Sequence, residues 1–93
     1  MAKAPFRRGG REGGIVDRIA MEGDFVVVHI STGKKVTLNP EKDACRVEKE
    51  DEVVIDYFIS PAFPLVKFIR ADEEIYSEAV PAVNIQPIIE RFF

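Results

Sequence analysis

Few residues of this chain could do covalent or acid–base chemistry, and they lie far apart. There is one histidine, His29, and one cysteine, Cys45. A side-chain nucleophile needs an oriented base within hydrogen-bond reach, and no family motif ties a serine or the cysteine to His29. Cys45 stands beside Arg46 and near Lys42, cations that favour a thiolate, but nothing around it supplies the base. One Cys and one His cannot build the usual zinc site, and a lone Cys cannot form an internal disulfide. The acidic run Asp72-Glu73-Glu74 reads as a solvated helix start before it reads as a cation site. Gly9-Gly10 and Gly13-Gly14 precede a strand and follow none, so they do not make a phosphate-cradling loop. The expectation is a protein that is not an enzyme and holds no cofactor or metal.

Binding chemistry is better represented. Cations that track phosphates and aromatics that stack on bases are the two ingredients of a single-strand nucleic-acid surface. Arg7, Arg8 and Arg11 lie in a glycine-rich segment whose Arg8-Gly9-Gly10-Arg11 resembles an RGG-type arm. Arg18, Phe25, His29, Lys34 and Lys35 follow within the next strands and form the rest of the candidate nucleic-acid set. Residues suited to a protein partner are Phe63, in Pro61-Ala62-Phe63-Pro64, and Ile89, Phe92 and Phe93 at the C-terminus. Phe63 could equally close one end of a barrel. The terminal apolar residues could dock on their own domain, or carry a partner or homo-oligomer contact.

The elements that must position these groups are short and mostly β. Ile15–Ala20 is β-branched and reads as a strand. Met21-Glu22-Gly23-Asp24 reads as a turn, Phe25–Ile30 as a second strand, Ser31-Thr32-Gly33-Lys34 as a turn and Lys35–Leu38 as a third strand. Asn39-Pro40-Glu41 has the cap and proline of a helix start, and the run to Arg46 has room for a short helix or 3₁₀ connector. Glu52–Ile59 is a fourth strand, ended by Pro61 and Pro64, and Leu65–Arg70 a fifth. Ala71–Ala79 reads as a short helix capped by Asp72. Residues 80–86 read as extended and Pro87 as the start of a last helical turn. Along the second strand, alternation sends Val26, Val28 and Ile30 to one face and Phe25, Val27 and His29 to the other. The aliphatic face is the expected core. The other face is either the binding surface or one covered by the C-terminal segment, with His29 at the surface.

Ninety-three residues with 46% hydrophobic content make one small globular domain. The net charge of −3 is unevenly placed. Residues 1–50 carry ten Lys/Arg against eight Asp/Glu, whereas residues 51–93 carry three against eight. The opening residues show no apolar run of a secretory signal, no stretch is long enough for a membrane span, and cysteine is scarce, so a cytoplasmic location is expected. Residues 1–14 are expected to be a flexible basic arm, either functional or a solvated tail. Residues 15–70 are the β-barrel domain, and 71–93 a partly helical C-terminal extension.

The strand order resembles the OB-fold, a five-stranded Greek-key barrel, and the residue pattern resembles the RNA-binding OB domain of bacterial translation initiation factor one. The matching residues are Gly14-Ile15-Val16, Phe25-Val26-Val27-Val28, Thr32-Gly33-Lys34-Lys35-Val36 and Asp51-Glu52-Val53-Val54-Ile55, within residues 13–70. That family carries a glycine in the turn before its fourth strand, where Lys49-Glu50-Asp51 stands here, and its binding face is more basic. The resemblance implies an all-β, small five-stranded barrel that binds single-stranded RNA or DNA, with an SH3-like barrel as the alternative fold. The competing functions are a protein-binding adaptor or inhibitor whose acidic second half mimics nucleic acid, and a structural subunit of an assembly.

Overall fold

The computed structural model describes residues 10–39 and 43–88. The described residues form one antiparallel sheet of seven strands. They are β1 (Arg11–Glu22), β2 (Phe25–Ile30), β3 (Lys34–Leu38), β4 (Glu52–Asp56), β5 (Leu65–Arg70), β6 (Glu73–Ala79) and β7 (Ile85–Pro87), in the spatial order β6-β5-β4-β1-β2-β3-β7. A 3₁₀ turn at Asp43–Arg46 connects β3 to β4, and another at Ala82–Asn84 precedes β7.

β1 is the hinge of the arrangement. Its first half, Arg11–Ile15, pairs with β4, and its second half pairs with β2. The β1–β2 register shifts between Val16 and Arg18, so the strand bulges where it changes partner. Val16 still exchanges backbone bonds with the turn before β4, donating to the Asp51 carbonyl (2.9 Å) and accepting from the Glu50 amide (2.8 Å). The two halves of the sheet share one core. Val16, Val26, Val28, Ile30, Val36 and Leu38 meet Val53, Ile55, Val66, Phe68 and Tyr76, with Ala44, Val47 and Val80 filling in from the connections. Phe68 and Tyr76 stack with ring centroids 6.3 Å apart.

The turns follow their glycines in two places. Gly23 (φ 64°) takes the first central position of the two-residue β1–β2 turn, and Gly33 (φ 94°) ends the three-residue β2–β3 loop. Elsewhere non-glycine residues do this work: Glu50 (φ 76°) before β4, and Ala71 (φ 54°) with Asp72 (φ 65°) between β5 and β6.

Several expectations change. β1 starts at Arg11, four residues before the expected start of order, because Arg11–Ile15 pairs residue for residue with Asp56–Glu52. β4 ends at Asp56 and not Ile59, because the Asp56 carboxylate accepts the Phe58 amide and turns the chain. Residues expected to be helical after Ala71 form β6, since the turn at Ala71-Asp72 returns the chain along β5. The sheet does not close. β7 takes the outer edge of β3 and β6 that of β5, so the two strands that would have to meet in a five-stranded closure each have another neighbour. Pro87, expected to open a last helical turn, instead ends β7 opposite Lys34; the expected helix start at Pro40-Glu41 and the residues after Ile88 lie outside the described residues. No described helix is long and apolar enough to cross a membrane.

Candidate nucleic-acid interface

The register of the pairing assembles part of the expected set. Arg18 on β1 lies opposite His29 on β2, His29 opposite Lys35 on β3, and Lys35 opposite Gln86 on β7. These residues form one row across the outer face, spanning about 14 Å at the usual strand spacing. The next row is Ala20, Val27 and Thr37, and the hairpin end carries Glu22 opposite Phe25. Two-residue alternation puts Phe25, Val27 and His29 on this face, away from the core cluster.

The face is not uniformly open. Arg18 is exposed and Phe25 about half so, but Val27 is fully buried and His29 and Lys35 are half-buried. Nε2 of His29 is out of solvent and has no hydrogen-bond partner among the described residues. Burial, and then the charges of Arg18 and Lys35, hold the imidazole pKa below its ordinary value of 6.5. The row is therefore electropositive around a neutral ring whose polar atom is unsatisfied.

Other members of the set lie elsewhere. Lys34 points to the opposite face from Lys35, as neighbours on a strand must. Its ammonium donates to the Glu12 carboxylate at 2.6 and 2.8 Å, and the Tyr57 hydroxyl donates to the same carboxylate. Burial first, and the Glu12 charge second, push Tyr57 up to about 12. Arg11 belongs to β1 and not to an arm. Its Nε donates to Asp56 at 3.2 Å and its guanidinium lies 5.7 Å from the Phe58 ring centroid. Arg7, Arg8, Ile89, Phe92 and Phe93 lie outside the described residues.

Phe63 sits in the β4–β5 loop with 55% of its surface exposed, beside Phe58 (65%) and Ile59 (83%). The loop is held by the Phe63 amide on the Ser60 carbonyl, and by bonds from Val80 to Pro64 and Ala82 to Ala62. Phe58 and Ile59, expected inside the fourth strand, lie instead on this loop. The nearby Ser60-Pro61 was the available sign that the ladder had already ended.

A shallow crevice on β1 is lined by Glu12, Gly13, Gly14, Ile30, Thr32, Val53 and Ile55. Cys45 is exposed and free, and no cluster of metal-ligating side chains occurs among the described residues. No family model, curated protein or solved structure matches this chain.

Proposed function

We propose that the chain is a non-catalytic module that binds single-stranded nucleic acid across the outer face of β1, β2 and β3. The observation that supports this most is the cross-strand row of Arg18, His29 and Lys35, with the half-exposed Phe25 ring on the same face. Cations and a ring two residue rows apart along one partly exposed sheet face suit a strand with unpaired bases that runs along β2. The OB-type reading of the five central strands agrees with it by analogy of fold. Arg7 and Arg8 would add phosphate contacts, whereas Arg11 and Lys34 are committed to Asp56 and Glu12.

The test is fluorescence anisotropy with labelled single-stranded RNA and DNA at two salt concentrations. The expected result is binding that weakens as salt rises, falls roughly tenfold in Phe25→Ala and has its salt slope reduced by about one in Lys35→Ala. No binding at low salt would overturn the reading.

A second reading is a protein-binding module, favoured by the exposed Phe58, Ile59 and Phe63 on one loop. It predicts that a partner retained by the full chain is lost in the Ile59→Ser, Phe63→Ser double variant while nucleic-acid binding is unchanged.

A further inference from the structure

The seven-stranded sheet has an additional edge within it. β4 covers only the first half of β1, so Arg18–Glu22 is paired with β2 on one side and, among the described residues, with no strand on the other. The outer edge strands are guarded: β6 carries Glu73, Glu74 and Glu78, and β7 is three residues long and ends in Pro87. The β1 edge has no proline and no charge pointing inward. Its inward residues are Ile19 and Met21, opposite the core residues Val28 and Val26, yet they are 37% and 63% exposed.

The two-residue turn that closes on Glu22 and Phe25 fixes which backbone groups are free. The pair closing such a turn exchanges its hydrogen bonds, and every second pair after it does the same. Glu22, Ala20 and Arg18 therefore bond to β2, and the amides and carbonyls of Ile19 and Met21 point to the open edge. Neither residue makes a further backbone bond among the described residues.

We infer that this edge pairs with the same edge of a second copy, antiparallel and centred on Ala20. Only registers centred on Ile19, Ala20 or Met21 bring free backbone groups together and keep like faces aligned. Centring on Ile19 sets Arg18 against Ala20 of the second copy, and centring on Met21 sets Glu22 against Ala20. Centring on Ala20 sets Arg18 opposite Glu22 of the second copy on the outer face. On the inner face it sets Ile19 opposite Met21 of the second copy, with both backbone bonds exchanged. Arg18 and Glu22 then each meet an opposite charge and each exposed apolar side chain meets another, twice over by symmetry. The edge is self-complementary, which is why the occupant is a second copy.

The inference stands apart from the nucleic-acid reading and is tested without nucleic acid. Sedimentation of the full chain from micromolar to millimolar concentration should show a monomer passing into a dimer. Arg18→Glu alone and Glu22→Arg alone each replace two attractions by two repulsions and should weaken the dimer about tenfold. The double variant Arg18→Glu, Glu22→Arg restores the complement and should bring the dimer back. Both side chains are exposed, so folding is not at stake. A monomer throughout, single variants that dimerise like the parent, or a double variant that fails to recover would each overturn the inference.

Discussion

The Arg70 guanidinium grips the Asp51 carboxylate with two hydrogen bonds, Nε to Oδ1 at 2.7 Å and Nη2 to Oδ2 at 2.9 Å. Asp51 is almost fully buried, and it also accepts the Glu48 amide at 2.8 Å. Nη2 of Arg70 reaches the Arg46 carbonyl as well, so the pair ties β5 to the 3₁₀ turn and to the approach to β4.

That pairing predicts an acid-labile protein. The Arg70 hydrogen bonds above all hold Asp51 below its ordinary 3.8, despite burial. A depressed carboxyl adds stability that is complete above the unfolded value and lost as pH falls through the folded one. Urea midpoints should therefore drop below about pH 4 more steeply in the parent than in Asp51→Asn. At neutral pH that variant should lose about 2 kcal/mol, less than for a fully buried pair because Arg70 keeps part of its side chain in water.

Backbone strain in the turns predicts stabilising substitutions. Glu50 holds φ 76° with its side chain exposed, so Glu50→Gly removes a left-handed non-glycine residue at little cost in contacts. Ala71→Asn with Asp72→Gly gives the β5–β6 turn the residues its conformation favours. Each change should raise the unfolding free energy by about 0.5–1 kcal/mol, read as a higher denaturation midpoint, net of the flexibility glycine adds to the unfolded chain. An unchanged or lower midpoint would show that the turns carry no strain.

The two glycines of β1 should behave differently. A Cβ on Gly14 would lie 2.7 Å from Cγ2 of the buried Ile30 and 3.1 Å from Cγ2 of Thr32, whereas on Gly13 the nearest atom is 3.8 Å away. Gly14→Ala should lose about 1–3 kcal/mol by thermal unfolding, and Gly13→Ala should be tolerated.

His29 should report on the outer face by NMR titration. Its imidazole should titrate below 6.5, and Arg18→Ala or Lys35→Ala should each move it upward. Because the neutral ring is the folded form, its contribution to stability is full above pH 6.5 and declines as pH falls toward the folded value. A phosphate bound beside it favours the charged ring, so single-strand affinity should rise as pH falls below 6.5. A pH-independent affinity would place the nucleic acid elsewhere.

The parts of the fold legible in the sequence were those with a local cause. β2 and β5 run over the residues expected, because each is a β-branched run bounded by turn residues. The first half of β1 was not legible. Gly13 and Gly14 read as flexibility, but Gly14 is what lets Ile30 approach. β6 was hidden because its turn uses Ala71 and Asp72 in conformations their propensities disfavour, and Asp72 also resembles a helix cap. On the candidate face, alternation was enough to group Phe25 with His29. It also separates Lys34 from Lys35, which nearness in sequence had joined. Commitment of Arg11 and Lys34 to acids more than twenty residues away leaves no local trace.

The change of partner along β1 divides the contacts by their distance in sequence. The β1–β2, β2–β3, β4–β5 and β5–β6 pairings join neighbours in the chain, so each can form quickly and independently. Arg11–Ile15 must find Glu52–Asp56 across about forty residues, and β3 must find β7 across about fifty. Closing those loops is the slow, entropically costly event. The glycine-rich start of β1 thus carries one of the two pairings whose formation costs the most chain entropy.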